Sequence, residues 1–395
     1  MKKLYLIITL TLAITIVKAQ WTAVNTGLTS LTVYTLESDG TNIFAGTNGG
    51  VFLSTNNGGT WSPVNSGITL TNLTINTIAI SGTNIFIGTL SGGIFLSTNN
   101  GANWTAINNG LTTLNVWSLA INGANIFAGT AGGGVFLSTD NGGTWTAINT
   151  GLNTAYNVTS FAISGTNIFA GIVGGGIFLS TNNGNSWSAV NTGLTTTWIH
   201  SLIISGTKIY AGTDLGAFLS TNNGGNWILL NSGFGTFSTS ITSMVLNGTN
   251  IMSGVYYNGV YLSTNSGNTW LQENSGLTDT LVNTLAISGT QIFAGTNGGV
   301  FTRPLSELTG IEEVQINSNL SISPNPFYSF TTITFSEEQK NTQLKITDIL
   351  GNTIQQTIIN GKQSTIDLSG AAKGIYFAEI IDANKNAVNK KIVVQ

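Results

Sequence analysis

The sequence predicts an all-β chain: a seven-bladed β-propeller of four-stranded blades, closed by an N-terminal strand, followed by a small Ig-like β-sandwich. Three observations predict it. A phrase of the type Ser-Thr-Asn-Asn-Gly-Gly-Thr-Trp recurs six times, ending at Trp61, Trp104, Trp145, Trp187, Trp227 and Trp270, with spacings of 40–43 residues. A period of this size filled with strand-like residues marks a repeated supersecondary unit. The residues between turns are β-branched and aromatic, and the stretch lacks helical periodicity. Finally, the opening strand of the unit and its Trp-initiated strand each occur seven times, but out of phase at the two ends of the array.

In chain order, Lys2 and Lys3 precede an apolar run from Leu4 to Val17, and small Ala19 precedes Gln20. Residues 1–19 therefore read as a secretory signal peptide, with a retained N-terminal anchor as the alternative. No later run approaches the roughly 20 apolar residues of a membrane-spanning helix. The chain has no cysteine, so an exported protein of this sequence relies on packing and backbone hydrogen bonds. Only 7% of residues are charged and the net charge is −3, without a basic block. Nucleic acid and anionic membranes are excluded as expected partners.

The second unit shows the pattern for all. Ile75 to Ile80 forms the opening strand and Ser81-Gly82-Thr83-Asn84 turns the chain. Ile85 to Thr89 and Ile94 to Ser97 follow, separated by Gly92-Gly93, and an Asn-Asn-Gly hairpin leads to Trp104–Asn108. Opening strands start near Val33, Ile75, Val116, Val158, Ile199, Ile241 and Val282. The last unit, Leu281 to Arg303, has no Trp strand of its own, whereas Trp21–Asn25 stands alone before the first unit. Residues 21–25 fit that vacancy and would seal a ring over residues 20–303, removing open sheet edges. A linear β-solenoid does not account for the permuted strand.

The tryptophan phrase resembles the Asp-box (BNR, sialidase-like) repeat, Ser-x-Asp-x-Gly-x-Thr-Trp. The resemblance covers about residues 21–303, with Asn56, Asn99, Asn182, Asn222 and Asn265 in place of the family's Asp and Asp140 retaining it. Asn still accepts backbone N–H bonds across a tight hairpin, and Gly supplies positive φ. The boxes are read as structural, each Trp packing between blades. Five of the six offer no carboxylate, so no metal site is expected, nor any cofactor.

After Arg303-Pro304 the tryptophans stop and charge rises; residues 304–319 read as a linker. The tail, residues 320–395, carries Pro324-Asn325-Pro326, Asp348-Ile-Leu-Gly351 and Gly374-Ile-Tyr-Phe377 in that order among alternating strands. It resembles the type A C-terminal sorting domain of the type IX secretion system. That resemblance implies recognition by the outer-membrane export machinery and a secreted or surface-attached product. The alternative is an ordinary Ig-like binding module.

Chemistry is sparse. Sialidase activity needs an arginine cluster for the substrate carboxylate, and Arg303 is the sole arginine of the chain. Other glycosidases need two carboxyl groups. Between residues 21 and 303 the acids are Glu37, Asp39, Asp140, Asp214, Glu273 and Asp279, of which Asp214 and Asp279 are expected on the ligand face and are the catalytic candidates. His200 is the sole histidine, and no Gly-x-Ser-x-Gly elbow accompanies it.

Variation between units is the remaining signal. The column at the entrance of the opening strand reads Tyr34, Asn76, Trp117, Thr159, His200, Thr242 and Asn283, and the loops between second and third strands differ, notably Tyr256-Tyr257. Tyr34, Asn76, Trp117, His200, Asn283, Tyr256 and Tyr257 are the expected ligand rim, suited to sugar faces or a docked peptide. The expected function is an exported binding module for a glycan or protein. A polysaccharide hydrolase using rim carboxylates, and a purely structural or adhesive surface protein, are the alternatives.

Overall fold

The computed structural model describes residues 20–69, 73–235, 239–308, 320–348, 351–381 and 387–395. The expected signal peptide, most of the linker and Ile349-Leu350 of the tail turn lie outside the described residues. The chain is all-β: among the described residues, the one helical element is a 3-10 turn at Leu305–Glu307. It divides into two compact units, Met1–Gly310 and Ile311–Gln395.

The described residues of the first unit form seven four-stranded antiparallel sheets, numbered here 1 to 7 by their opening strands. Sheet 2, for example, runs Ile75–Ser81, Asn84–Thr89, Ile94–Ser97, Thr105–Ala106. The second strand Ile43–Thr47 is buried along its whole length, and its six counterparts are buried over the five residues after their first. Their unbroken Ile-Phe-Ala-Gly-Thr wording follows from having a neighbouring sheet on each face, which removes the need for polar alternation. Cores are shared between consecutive sheets: Phe44 and Val51 of sheet 1 pack with Ile75, Ile78, Ile87 and Trp104 of sheet 2. Gly46 permits the approach, since a Cβ there would lie 2.8 Å from Ile75 Cγ2.

The opening strands are mutual neighbours in sequence order, and the series closes because Val33–Ser38 also lies against Val282–Ser288. Phe293 and Val300 of sheet 7 share a core with Val33, Leu36 and Trp61 of sheet 1, the same arrangement as between any other pair.

The N-terminal strand completes the last sheet. Thr22 and Ala23 pair with Thr302 and Phe301, so the order in sheet 7 is Thr22–Ala23, Gly299–Pro304, Gln291–Thr296, Val282–Ser288. The segment repeats every bond of its internal counterparts. Each Trp indole donates to the carbonyl just past the outer strand of the preceding sheet: Trp104 to Val64, Trp145 to Ile107, Trp187 to Ile148, Trp227 to Val190 and Trp270 to Leu230. Trp21 donates to Glu273 at 2.6 Å and Trp61 to Val24 at 2.7 Å, so the series passes through the N-terminal segment without a break. Four residues after each Trp, an Asn carboxamide accepts from the third strand of its sheet, and Asn25 does so from Val300 N–H at 2.7 Å. Six residues after each Trp stands a glycine; Gly27 has φ +92°, and a Cβ on it would sit 2.1 Å from Trp61 O. The rule Trp-x-x-x-Asn-x-Gly thus holds for the seven tryptophans that open an outer strand, among nine in the chain, and was legible in the sequence once Trp21 was aligned with the rest.

The second unit is one five-stranded sheet. Leu320–Ser323, Phe330–Asp348, Gly374–Ile381 and Ala387–Val394 lie in that order, with Thr353–Asp367 also paired to Phe330–Asp348. The second strand of this sheet, Phe330–Asp348, is 19 residues long. Ile333 and Ile346 would be about 43 Å apart on a straight strand at roughly 3.3 Å per residue. They instead share one core with Leu344, Ile366 and Ile392. Register breaks between Thr334 and Thr342 bend the strand. Asn325, between two prolines, accepts from Val393 N–H and donates to Lys391 O at 2.9 Å each, clipping the loop to the final strand.

Candidate functional site

Every opening strand of the first unit breaks register at its start, between Val33/Thr35, Ile75/Thr77, Val116/Ser118, Val158/Ser160, Ile199/Ser201, Ile241/Ser243 and Val282/Thr284. The extra residue at each bulge is the variable column: Tyr34, Asn76, Trp117, Thr159, His200, Thr242 and Asn283. A bulge leaves its residue outside the ladder and re-aims its side chain, which is why this column varies while its neighbours do not.

The polar members turn sideways. Asn76, Thr159, Thr242 and Asn283 donate to the first carbonyl of the next opening strand, at Val116, Ile199, Val282 and Val33, over 2.7–3.0 Å. The Asn283 bond crosses from sheet 7 to sheet 1. In sheet 3 the same bond, to Val158 O, comes from Ser118. Asn76 and Asn283, expected on the ligand rim, therefore clasp adjacent sheets. Tyr34, Trp117 and His200 carry rings in place of that clasp. Tyr34 and Trp117 are exposed, and His200 is half-buried. Burial pushes the His200 imidazole below its ordinary pKa, with the Asp214 carboxylate working against it.

The loops between second and third strands lie at the same end of each sheet as the bulges, since Val33 pairs with Thr47 and its six counterparts do likewise. Exposed large apolar side chains of the first unit gather at this end. Sheet 1 presents Leu31 and Tyr34, sheet 3 Leu114 and Trp117, sheet 4 Tyr156, sheet 5 Trp198 and Leu215, and sheet 6 Tyr256 and Tyr257. Away from it, the described residues of the unit expose only Ile228 and Leu229, on an outer strand. Sequence reasoning missed Tyr156 and Trp198, which precede the first buried residue of their opening strands by two places and one. Trp198 is 53% exposed. The column Leu31, Leu73, Leu114, Tyr156 carried that signal.

Tyr257 is the least ordinary member. It is 63% exposed and has φ +60°, where the corresponding loop positions of sheets 3 and 4 hold Gly132 and Gly174 at +72° and +82°. A left-handed conformation costs a non-glycine residue on the order of 1–2 kcal/mol. The loop is fixed by Asn258 N–H to Val255 O at 2.9 Å and by Thr280 Oγ to Tyr257 O at 3.2 Å. The Tyr256 and Tyr257 rings meet edge to face, with centroids 4.4 Å apart, and the hydrogen bond between them raises the Tyr256 pKa.

The acids have local work. Asp214 accepts from Thr196 Oγ at 2.5 Å, matching the bond of Ser30 to Asn48 in sheet 1. Asp279 takes the position of Thr196 and Ser30 in sheet 7 and accepts from Leu281 N–H at 3.0 Å. These two candidates, in sheets 5 and 7, are thus bound into the turns of their own sheets. In the hairpins, Asn56 accepts from Thr60 N–H at 2.9 Å and donates to Thr60 Oγ1 at 3.0 Å. Asp140 accepts from both Thr144 N–H and Thr144 Oγ, bonds that hold its pKa low. Arg303 is buried and paired with Glu273, Nη1 to Oε2 being 2.6 Å. Among the described residues no three His, Asp or Glu side chains gather as a metal ion would require.

Residues 321–395 match the family model of the secretion system C-terminal sorting domain. The protein is exported. This tail marks a product that is secreted or held at the outer-membrane surface, through the type IX system. Among the described residues no helix is long and apolar enough to cross a membrane. No curated protein sequence matches the chain.

Among solved structures the exported chain is similar to PorZ, an essential bacterial surface component of the type-IX secretion system of Porphyromonas gingivalis. Identity is 16%, with 94% of this chain and 60% of that one covered and a TM-score of 0.58. YCF48 bound to D1 peptide is similar at 16% identity, covering 72% of this chain and 96% of that one, TM-score 0.57. The GH74 xyloglucanase of Xanthomonas campestris is similar at 13% identity, covering 80% and 59%, TM-score 0.59. The chain therefore spans about three fifths of PorZ and of the xyloglucanase. At such identities the likeness is one of fold, all-β and propeller-like.

Proposed function

We propose that residues 20–303 form a seven-bladed propeller of Asp-box repeats that serves as a binding module, engaging a glycan or a protein at its aromatic mouth. Residues 304–319 act as linker, and the Ig-like sandwich of residues 320–395 hands the module to the type IX machinery. The observation that carries this reading is the gathering of exposed rings at one end of the first unit, with the opposite end free of them among the described residues. Large exposed apolar patches on soluble domains mark interaction sites. Ligands of both kinds occur on this fold, since YCF48 is bound to a peptide and the similar xyloglucanase acts on a polysaccharide.

Hydrolysis is not favoured, because Asp214 and Asp279 are engaged in turn bonds that neutral side chains supply in other sheets. A purely structural role leaves the strained, exposed Tyr257 without a purpose. The test is binding of the full chain to a glycan array and to a displayed peptide library. Trp117→Ala combined with Tyr257→Ala is expected to abolish whatever binding the wild type shows. Retained binding by the double variant removes the mouth as the site.

A further inference from the structure

The exposed rings are not distributed evenly round the mouth. Trp117, Tyr156, Trp198 and the Tyr256–Tyr257 pair stand on sheets 3, 4, 5 and 6, whose opening strands are consecutive neighbours. Sheets 2 and 7 expose no large apolar side chain among their described residues. We infer that the ligand is an uncharged polysaccharide laid along this arc, one ring contact per sheet across sheets 3 to 6. The inference rests on the binding-module reading above and names its ligand class.

Three features favour a neutral sugar polymer over a peptide. The first is charge. The permanently charged bases of residues 20–303 are Lys208 and Arg303, and burial disfavours the charged form of His200. Arg303 is buried against Glu273, and Lys208 begins a second strand, at the end of sheet 5 away from the bulges. The arc therefore has no cation for an acidic glycan, a phosphate or a peptide carboxylate, and its carboxylates are committed to turns. Specific peptide recognition ordinarily draws on such complementarity of charge.

The second is repetition. Each of four successive sheets presents a flat ring at the mouth, from the bulge in sheet 3, the lead-in to the opening strand in sheets 4 and 5, and the loop between second and third strands in sheet 6. A polymer of identical units, each with an apolar ring face and a rim of hydroxyls, meets that pattern residue by residue. A peptide, with a different side chain at each step, does not require it.

The third is the conformation of Tyr257. Its backbone adopts a shape that the sister loops reserve for glycine. Strain of this kind persists where the surroundings over-determine it, and it clusters at ligand-contacting positions. A ring already held in place avoids the ordering cost of binding.

The full chain should be slowed in affinity gel electrophoresis by at least one of xyloglucan, xylan, mixed-linkage glucan or mannan, and not by polygalacturonate. Calorimetry with oligosaccharides of that polymer should show affinity rising with length up to about four to six sugars, as successive contacts add. Trp198→Ala and Tyr156→Ala should each weaken binding about tenfold, whereas Ile228→Ala with Leu229→Ala, on an outer strand, should not change it. Tyr257→Gly should weaken binding by a similar factor with an unchanged or higher melting temperature, an outcome a merely structural tyrosine does not give. Preference for polygalacturonate, or full affinity in Trp198→Ala, overturns the inference. So does silence toward every polysaccharide. If binding to displayed peptides that Trp117→Ala abolishes accompanies that silence, the glycan falls and the module reading stands; if nothing binds at the mouth, both fall.

Discussion

Glu37 shows how one residue can oppose its surroundings. It stands on the opening strand of sheet 1 in a column that otherwise reads Ala79, Ala120, Ala162, Ile203, Val245 and Ala286. Burial raises its pKa from 4.5 to about 7. The folded state therefore binds a proton more tightly than the unfolded chain does. Stability contributed at this site is highest below pH 4.5 and falls as pH rises toward 7. Glu37→Gln removes the penalty: chemical denaturation at pH 8 should show a gain of up to about 3 kcal/mol, at 1.36 kcal/mol per pK unit, and little change at pH 4. Equal gains at both pH values would mean that burial of the charge is not the cause. Arg303 and Glu273 are the opposite case, a buried pair whose members need each other. Glu273→Gln alone should cost up to about 3 kcal/mol, since it leaves the buried guanidinium with only the more distant Glu307 carboxylate, 3.9 Å from Nε. Glu273→Leu combined with Arg303→Met should cost less, read as the difference in melting temperature between the two proteins.

At the scale of the element, the hairpin before each Trp explains why Asn and Asp interchange there. Asn56 donates to Thr60 Oγ1, while Asp140 accepts from Thr144 Oγ, so the hydroxyl only reverses direction. Asp140→Asn should leave stability within about 0.5 kcal/mol, whereas Asp140→Ala strips the acceptor from Thr144 N–H and should cost about 1–2 kcal/mol. Urea titrations of the two variants separate these outcomes. The tryptophan that follows packs in the core between sheets 2 and 3. Trp145→Ala should cost about 3–5 kcal/mol on the same measure.

At the scale of the molecule, the N-terminal strand supplies the outermost strand of the last sheet, next to the first. Without residues 20–27, the strand Gly299–Pro304 would be left with an open edge, and the Trp21 and Asn25 bonds to sheets 6 and 7 would be lost. Open edges recruit other strands. The truncated protein should melt well below the intact one and form concentration-dependent oligomers on size-exclusion chromatography with light scattering. A synthetic peptide of residues 20–28 should reverse both effects. A truncated monomer with unchanged melting would show that the N-terminal strand does not hold the ring together.

The repeat period, the strand order within each unit, the vacancy at the last unit and the exported tail were determined by the sequence alone. Each rests on local patterns that translate directly into backbone geometry: glycine at positive φ, β-branched runs, tryptophan at a fixed interval. The variable column was also legible, but not its division of labour. Asn76 and Thr159 reach a neighbouring carbonyl, while in sheet 3 Trp117 presents a ring and the adjacent Ser118 makes the bond instead, a division visible only once the strands are assembled. Tyr156 and Trp198 fell outside the sequence reading because exposure is a property of what covers a side chain. Only the assembled sheets, packed face to face, decided which rings were covered and which were left at the mouth.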